Sequence, residues 1–593
     1  MAAPAIFVHD AGDRLFGPVG TIIALTPDAF EGCRLRGLTP SVVDDHTPRP
    51  ELCRLPRAYE RWQLDWLNRL DNACHLDGVG RSCAELIVPP LDSLVVASRT
   101  LAGVVDALVP TTIEYIGRGG MPEAGYHSGN LGFWPRLGDV PLAARLLPLI
   151  AQARDLPFNA DWIDPRMPVK SSAPSLLPRI RRRLAKIVGP YRRGYARRHV
   201  GGAHPQTTLM LWYAGYGAAQ FAADEHRAAR GIACISRGGS SFRIHDVALP
   251  PRHRPSDPID LRVPEVTTLM PSLMRLLDEI DGWAGVPGAG RIFATRLAIY
   301  LHGVCPAVAC AATQVGKEFS HFDVQRVAAA NPSSLEEFAC LIAAGRMLIP
   351  RVLVQHGDHL MSYGLWLVTA TVDFEEFMAS DATVAEDLRA EASALGVTAP
   401  RVTYYAPRVQ ALVSKASGTS PRRERRPETI CYVPCFMIGD FKRVGGLYFD
   451  DTWYYRWHLR LLDLMMSRPD LRFIWKALPS TDLARDPVAD IVAGKPIQNV
   501  TYERRPFVDV INDVDRVFTD YPSTALYEAV HLGKPVLALS FERFFVLRTS
   551  AAARFQQVLR VCRTEEDALN HLQGFIDDPP SRWILPPEMI TRS

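Results

Sequence analysis

Between Thr429 and Asp578 short, unbroken apolar runs alternate with stretches of helical periodicity. TICYVPCFM (429–437), LRFIWKALP (471–479), VTYE (500–503), RVFTD (516–520), PVLALS (535–540) and VLRVC (558–562) read as strands. Helical stretches fall between them at Asp451–Ser467, near Asp482–Ala493, at Ser523–Leu532 and at Glu565–Ile576. A strand that is apolar at every position must be covered on both faces, and helices flanking a parallel sheet provide that cover. The pattern predicts a Rossmann-like α/β unit over 429–580, with a short C-terminal tail at 581–593.

Upstream, SKASGTSPRRERRPE (414–428) has the Ser, Gly, Pro and Arg content of an interdomain linker. Residues 1–413 then form a second α/β domain, read less regularly. Its expected strands are AIFVH (5–9), SLVVAS (93–98), TTIEYIG (111–117), AVACAAT (307–313), RVLVQ (351–355) and RVTYYAP (401–407). Its expected helices are Tyr59–Asn72, Ser333–Ala344 and Val384–Leu395. The longest apolar segment, Leu297–Val315, is interrupted by His302 and Pro306, whereas a spanning helix needs about 20 apolar residues, so it reads as buried core. No basic, then apolar, leader opens the chain, and the eleven cysteines show no CxxC or zinc-finger spacing. A cytoplasmic protein with reduced thiols is expected.

Charge is distributed unevenly. The 67 Lys and Arg against 64 Asp and Glu give a net charge of +3, which argues against a dedicated nucleic-acid binder. Yet residues 165–223 contain eleven bases and no acid, and removing those bases from the 67 leaves 56 against 64 acids elsewhere. Within that stretch LLPRIRRRLAKIV (176–188) sets Leu, Ile and Val on one helical face and Arg179, Arg181, Arg182, Arg183 and Lys186 on the other. An anionic membrane surface suits this pattern best. A polyanionic substrate and a merely solvated basic loop are the other readings. A peripheral position at the inner face of the membrane is the corresponding expectation.

The segment with the most chemistry is FTDYPSTALYEAVHLGKPVLALS, 518–540. A strand ends at Asp520, Tyr521-Pro522 turn, and Ser523-Thr524 open a helix whose free N–H groups make an anion site. Glu528 follows one turn later, and Gly533 ends the helix. An ordinary capped β-α-β unit accounts for the cap and the glycine, but not for an acid at this spacing. The stretch TDYPSTALYEAVHLGKPV resembles the donor-binding segment of GT-B glycosyltransferases and of polyol-phosphate transferases such as the CDP-glycerol glycerophosphotransferases. The resemblance implies two Rossmann-like domains facing across a cleft. It also implies a nucleotide diphosphate held by Asp520, Ser523 and Thr524, with Glu528 on the ribose. WKALP (475–479) sits where capsule-type enzymes carry K-x-H-P, which would set Lys476 against phosphate, with Leu478 in place of the histidine.

In VLVQHGDHLMSYG (352–364) a strand delivers His356 and Asp358 into a loop. The same families place a similar His-Gly on the acceptor side, so His356, or Asp358 after it, is the expected general base for the acceptor hydroxyl. By itself, His356 is equally an ordinary hydrogen-bonded loop histidine. Glu375, Glu376 and Asp381 read as solvated helix faces. Gly439–Gly446 reads as a glycine-rich loop able to approach a diphosphate, with Lys442 or Arg443 adding charge. Asp513-Val514-Asp515 spells DxD ahead of an ordinary strand and is discounted as loop, so neither a metal nor a cofactor is expected.

The expected function is therefore transfer of a sugar from a nucleotide-activated donor to a surface polysaccharide or its lipid-linked precursor. Three alternatives stand beside it: a polyol-phosphate transferase of the CDP-glycerol type, a sugar-nucleotide epimerase or hydrolase, and a non-catalytic assembly partner.

Overall fold

The structure is a computed structural model. It describes residues 3–9, 20–46, 57–74, 78–84, 87–118, 142–163, 207–213, 218–228, 231–237, 271–330, 332, 335–355, 373–380, 382–405, 428–435, 451–476, 488, 491–492 and 497–586, apart from 543, 545 and 546.

Three parallel sheets account for every described strand pairing between neighbours in the topology. The first takes β1 (Ala5–Val8), β2 (Thr21–Ala24), β3 (Ser41–Val42), β4 (Ile113–Arg118) and β5 (Phe158–Ile163) in the order β3-β2-β1-β4-β5. The second takes β6 (Thr207–Tyr213), β7 (Gly231–Arg237), β8 (Val324–Ala329), β9 (Arg351–Val354), β10 (Glu376–Ala379) and β11 (Arg401–Tyr404) in the order β11-β10-β9-β8-β6-β7. The third takes β12 (Thr429–Val433), β13 (Arg472–Lys476), β14 (Val500–Glu503), β15 (Arg516–Thr519), β16 (Val536–Phe541) and β17 (Leu559–Cys562) in the order β14-β13-β12-β15-β16-β17. Parallel neighbours cannot be joined by tight hairpins, so each pair requires a crossover. The expected α/β class with parallel, Rossmann-like sheets is the class the chain adopts, and the region before residue 414 contributes two such sheets where one was expected.

Helices cover these sheets where their apolar faces demand it. Those used below are α1 (Pro27–Leu35), α2 (Arg57–Ala73), α3 (Val88–Leu108), α4 (Cys305–Phe322), α5 (Ala382–Leu395), α6 (Asp451–Met466), α7 (Thr524–His531), α8 (Thr549–Phe555) and α9 (Glu565–Asp577). Two expected strands are helical instead: SLVVAS lies inside α3 and AVACAAT inside α4. Leu91, Leu94, Val95, Val96, Ala97 and Leu101 of α3 are all buried, so the helix is apolar nearly all round and loses the one-sided periodicity that marks a surface helix. Prolines at the first positions of both helices start them rather than break them.

The acids after the second sheet's central strand also differ from expectation. Glu376 opens β10, buried, with Arg326 at 3.3 Å, Arg401 at 2.7 Å and Thr403 Oγ1 donating at 3.0 Å. Glu375 receives the Arg351 backbone N–H at 2.6 Å and its guanidinium at 2.8 Å. Glu375 is solvent-exposed as expected but stands just before a strand rather than on a helix, whereas Glu376 is buried within that strand among arginines; Asp381 lies outside the described residues.

The candidate donor-binding site

The third sheet fixes where a ligand can meet this unit. β12 and β15 are adjacent and parallel, with Val433 opposite Thr519, and their crossovers lead away in opposite directions, to β13 and to β16. That divergence opens a crevice beyond the carboxyl ends of β12 and β15, the place where open α/β sheets bind ligands. All four residues of β15 are buried. The next residue, Asp520, is therefore carried to the floor of the crevice.

Asp520 is fully buried and every acceptor position of its carboxylate is used. Oδ2 accepts from Tyr432 Oη at 2.5 Å and Trp457 Nε1 at 2.9 Å. Oδ1 accepts from Tyr454 Oη at 2.7 Å and the Cys435 backbone N–H at 3.3 Å. Burial pushes its pKa up to about 6, against the opposing pull of the bonds from Tyr432, Tyr454 and Trp457. The sequence reading put Asp520 among the phosphate contacts; in the structure its carboxylate bonds to Tyr432, Tyr454, Trp457 and the Cys435 N–H.

Above it, Thr519 Oγ1 takes the Tyr521 N–H at 3.2 Å and donates to the Tyr521 carbonyl at 2.9 Å, shaping the turn into α7. Ser523 occupies the N-cap position in extended conformation, half-buried, and its side chain makes no capping bond. Its carbonyl accepts the Leu526 N–H at 2.9 Å. The expected cap is thus present in position but not in bonding, which leaves the serine hydroxyl at the helix mouth. Thr524, half-buried, is the first helical residue, and Glu528 is buried one turn on. At the far end Gly533 adopts φ +64, where a side chain would be strained, and Lys534 Nζ is drawn to the Val514 carbonyl at 2.7 Å, away from the crevice.

Lys476 ends β13 opposite Glu503. It is buried, its Nζ lies 3.5 Å from the Glu503 carbonyl, and burial lowers its pKa. Of the DxD, Asp513 ends a short 3-10 turn 3.8 Å from Arg505, and Asp515 accepts the Thr429 N–H at 2.9 Å. Among the described residues no group of three or more His, Cys, Asp or Glu is placed to hold a metal ion, and no helix is long and apolar enough to cross a membrane.

His356 and Asp358 lie outside the described residues, as do Gly439–Gly446 and the bases Arg179, Arg181, Arg182, Arg183 and Lys186. Gln355, the last described residue before His356, is fixed at both ends: its N–H donates to the Met378 carbonyl at 2.9 Å and its Oε1 accepts the Ser380 N–H at 2.9 Å.

The residues that sequence reasoning missed are aromatic. Tyr454, Trp457 and His458 share one face of α6 by their i, i+3, i+4 spacing, and DTWYYRWH (451–458) carried that signal. His458 is buried against Tyr454 (ring centroids 4.1 Å), Trp475 (4.8 Å) and Tyr432 (5.8 Å). Among the described residues neither ring nitrogen of His458, nor Trp475 Nε1, has a hydrogen-bond partner, and burial lowers the imidazole pKa to about 3.

No protein-family model matches the chain, and no curated protein matches it. Similar solved structures include UDP-GlcNAc 2-epimerase from Neisseria meningitidis bound to UDP-GlcNAc, 13% identical, with TM-score 0.39, over 65% of this chain and 95% of that one. A glycosyltransferase from Rickettsia africae is 10% identical, with TM-score 0.34, over 65% and 95%. MurG from Acinetobacter baumannii is 8% identical, with TM-score 0.35, over 65% and 95%.

Proposed function

We propose that this chain is a glycosyltransferase that moves a sugar from a nucleotide-activated donor to a surface polysaccharide or its lipid-linked precursor. The observation that carries the reading is the mouth of α7. The helix begins where the sheet's crossovers diverge, Ser523 leaves its capping bond unmade, and Thr524 follows at the first helical position. Such a helix start offers N–H groups and a positive dipole end to a diphosphate. Glu528 takes the ribose in this reading, and Lys476 contributes charge from the end of the neighbouring strand.

Transfer needs a base for the acceptor hydroxyl and donors for the charge developing on the leaving diphosphate. His356, or Asp358 after it, serves as the base from the loop that follows β9, across a cleft between the α/β units. The α7 mouth and Lys476 serve the leaving group without a metal. The basic stretch Arg179, Arg181, Arg182, Arg183 and Lys186 brings a cytoplasmic enzyme to an anionic membrane surface, where a lipid-linked acceptor resides.

Calorimetric titration with UDP, CDP, CMP and GDP tests the donor site and names the base. One diphosphate should bind in the micromolar range, and Glu528→Gln should weaken it about tenfold, the loss of one good hydrogen bond. Binding no tighter than millimolar for all four refutes the proposal. Incubating the matching nucleotide sugar with enzyme alone separates transfer from its alternatives, since an epimerase or hydrolase consumes donor without an acceptor.

A further inference from the structure

We propose that Asp520 is a positioning residue: it ties the carboxyl ends of β12 and β15 to α6 and thereby sets the backbone at Cys435, where the β12 end of the donor crevice begins. The inference rests on the proposed donor site and adds to it a control by proton concentration.

The geometry makes the carboxylate a hub. Tyr432 belongs to β12, Cys435 lies just beyond it, Tyr454 and Trp457 belong to α6, and Asp520 itself follows β15. Four donors from these elements fill the two lone pairs of each oxygen. The wiring continues one atom further, because the Cys435 N–H also donates to Tyr454 Oη at 2.6 Å, and Tyr432 Oη lies 3.3 Å from the same oxygen.

A proton added to this carboxylate finds no vacant lone pair. The Trp457 indole and the Cys435 amide cannot reverse their polarity, so only the two tyrosine hydroxyls can answer. With the proton on Oδ2, Tyr432 becomes the acceptor and turns its own O–H toward Tyr454 Oη. That oxygen is the one receiving the Cys435 N–H, so the new bond competes with it. With the proton on Oδ1, Tyr454 becomes the acceptor, and its Oη must take the carboxyl O–H alongside the Cys435 N–H it already receives at 2.6 Å. Either route loosens Cys435.

Among the described residues, the other titratable groups facing Asp520 are silent in the relevant range. Burial raises the hydroxyls of Tyr432 and Tyr454 well above their ordinary value and drops His458 to about 3. Cys435 presents its backbone to the carboxylate and its side chain is buried. The Asp520 carboxyl, pushed up to about 6 by burial, is the group that changes charge as acidity rises from neutral.

Two measurements test this. Amide exchange of the peptide spanning 429–438, normalised to intrinsic rates, should show Cys435 protection falling about tenfold per pH unit below the midpoint. In Tyr432→Phe, which removes one bond to the ionised form while keeping the ring, that midpoint should move up by about one pH unit. The second measurement titrates wild type and Tyr432→Phe with UDP-glucose, CDP-glycerol and GDP-mannose, whose phosphate diesters do not ionise in this window. The affinity of whichever binds should follow the same two midpoints. A shared midpoint in both proteins, or protection flat between about pH 5 and 8, overturns the inference, since a purely structural carboxylate would destabilise without shifting a midpoint. If none of the three compounds binds while the exchange midpoints shift, the donor-site reading falls and the positioning role stands.

Discussion

Replacing His458 with leucine should remove an acid sensitivity that wild type carries. The imidazole is sealed among Tyr432, Tyr454 and Trp475, has no partner on either nitrogen, and has its pKa lowered to about 3 from 6.5. Its folded value lies below its unfolded one, so the unfolded chain binds the extra proton. The associated stability is fully present above pH 6.5 and is lost as pH falls toward about 3. At about pH 4.5 the gap to 6.5 costs wild type about 3 kcal/mol relative to neutral pH, at about 1.4 kcal/mol per pH unit. Leucine cannot take up the proton. Urea denaturation of both proteins, at about pH 7 and about pH 4.5, gives four stabilities. The packing change from imidazole to leucine is common to both pH values and cancels in the double difference. Wild type should therefore lose about 3 kcal/mol more than His458→Leu between the two conditions. Equal losses would mean that the imidazole finds a proton acceptor or water in its cavity, and the reasoning from a dry, unpaired ring would be wrong.

Asp520 predicts a slope of opposite sign. Its folded pKa of about 6 lies above the ordinary 3.8, so the stability it confers is present below pH 3.8 and is lost as pH rises through about 6. Asp520→Asn should abolish that decline, about 2 kcal/mol between about pH 4.5 and about pH 7, in the same urea experiment. Arg548, buried, donates to Asp387 at 2.7 Å, Thr383 at 3.1 Å and Tyr527 at 3.4 Å, joining α5 to α7 and α8. Arg548→Met leaves a half-buried carboxylate without its cation and should cost about 3 kcal/mol, read as a lowered thermal midpoint. Arg548→Lys should restore little of it, since one ammonium cannot reach three partners. Thr564 caps α9 in a reciprocal box with Asp567, its Oγ1 receiving the Asp567 N–H at 3.0 Å. Thr564→Ala should cost about 1 kcal/mol by thermal melting without altering nucleotide affinity.

The third sheet was legible because its strands are short, mainly apolar and separated by helices with polar faces. The strands Thr429–Val433, Arg516–Thr519 and Val536–Phe541 are buried along nearly their whole length, and that uniform burial is what an unbroken apolar run encodes. The same property hid α3. A helix buried on all sides has no polar stripe, so its central residues, SLVVAS, are indistinguishable from a buried strand until length and the two prolines are weighed. At the site, the turn after β15 and the helix start at Ser523 were readable from local chemistry. The environment of Asp520 was not, because all four of its donors lie 63 to 88 residues away in sequence. Burial therefore turned an apparent ligand contact into a hub. Glu376 shows the reverse error. Its acidic neighbourhood suggested solvent, while Arg401 arrives from the adjacent β11 and Arg326 from β8 two strands away, pairings that local sequence cannot show.

α6 explains how the N-terminal sheet bears on the donor-binding unit. Tyr454, Trp457 and His458 turn inward to the Asp520 cluster, while the residues between them face the first sheet. Tyr455 packs against Phe30 of α1, with ring centroids 6.3 Å apart, and lies 3.4 Å from Glu31. Arg456 holds Asp45 at 2.8 Å and Glu565 of α9 at 2.8 Å. One turn of helix thus joins two bodies, because a rotation of 100° per residue sends neighbouring side chains to different faces. Arg456 is the discriminating residue, since it bonds both bodies and touches nothing in the Asp520 cluster among its described partners. A shift of the first sheet must break the Arg456–Asp45 pair or carry α6 with it, and carrying α6 moves Tyr454 and Trp457 against Asp520. The first sheet thus touches the helix that donates to Asp520, while among the described residues it gives that carboxylate no donor of its own.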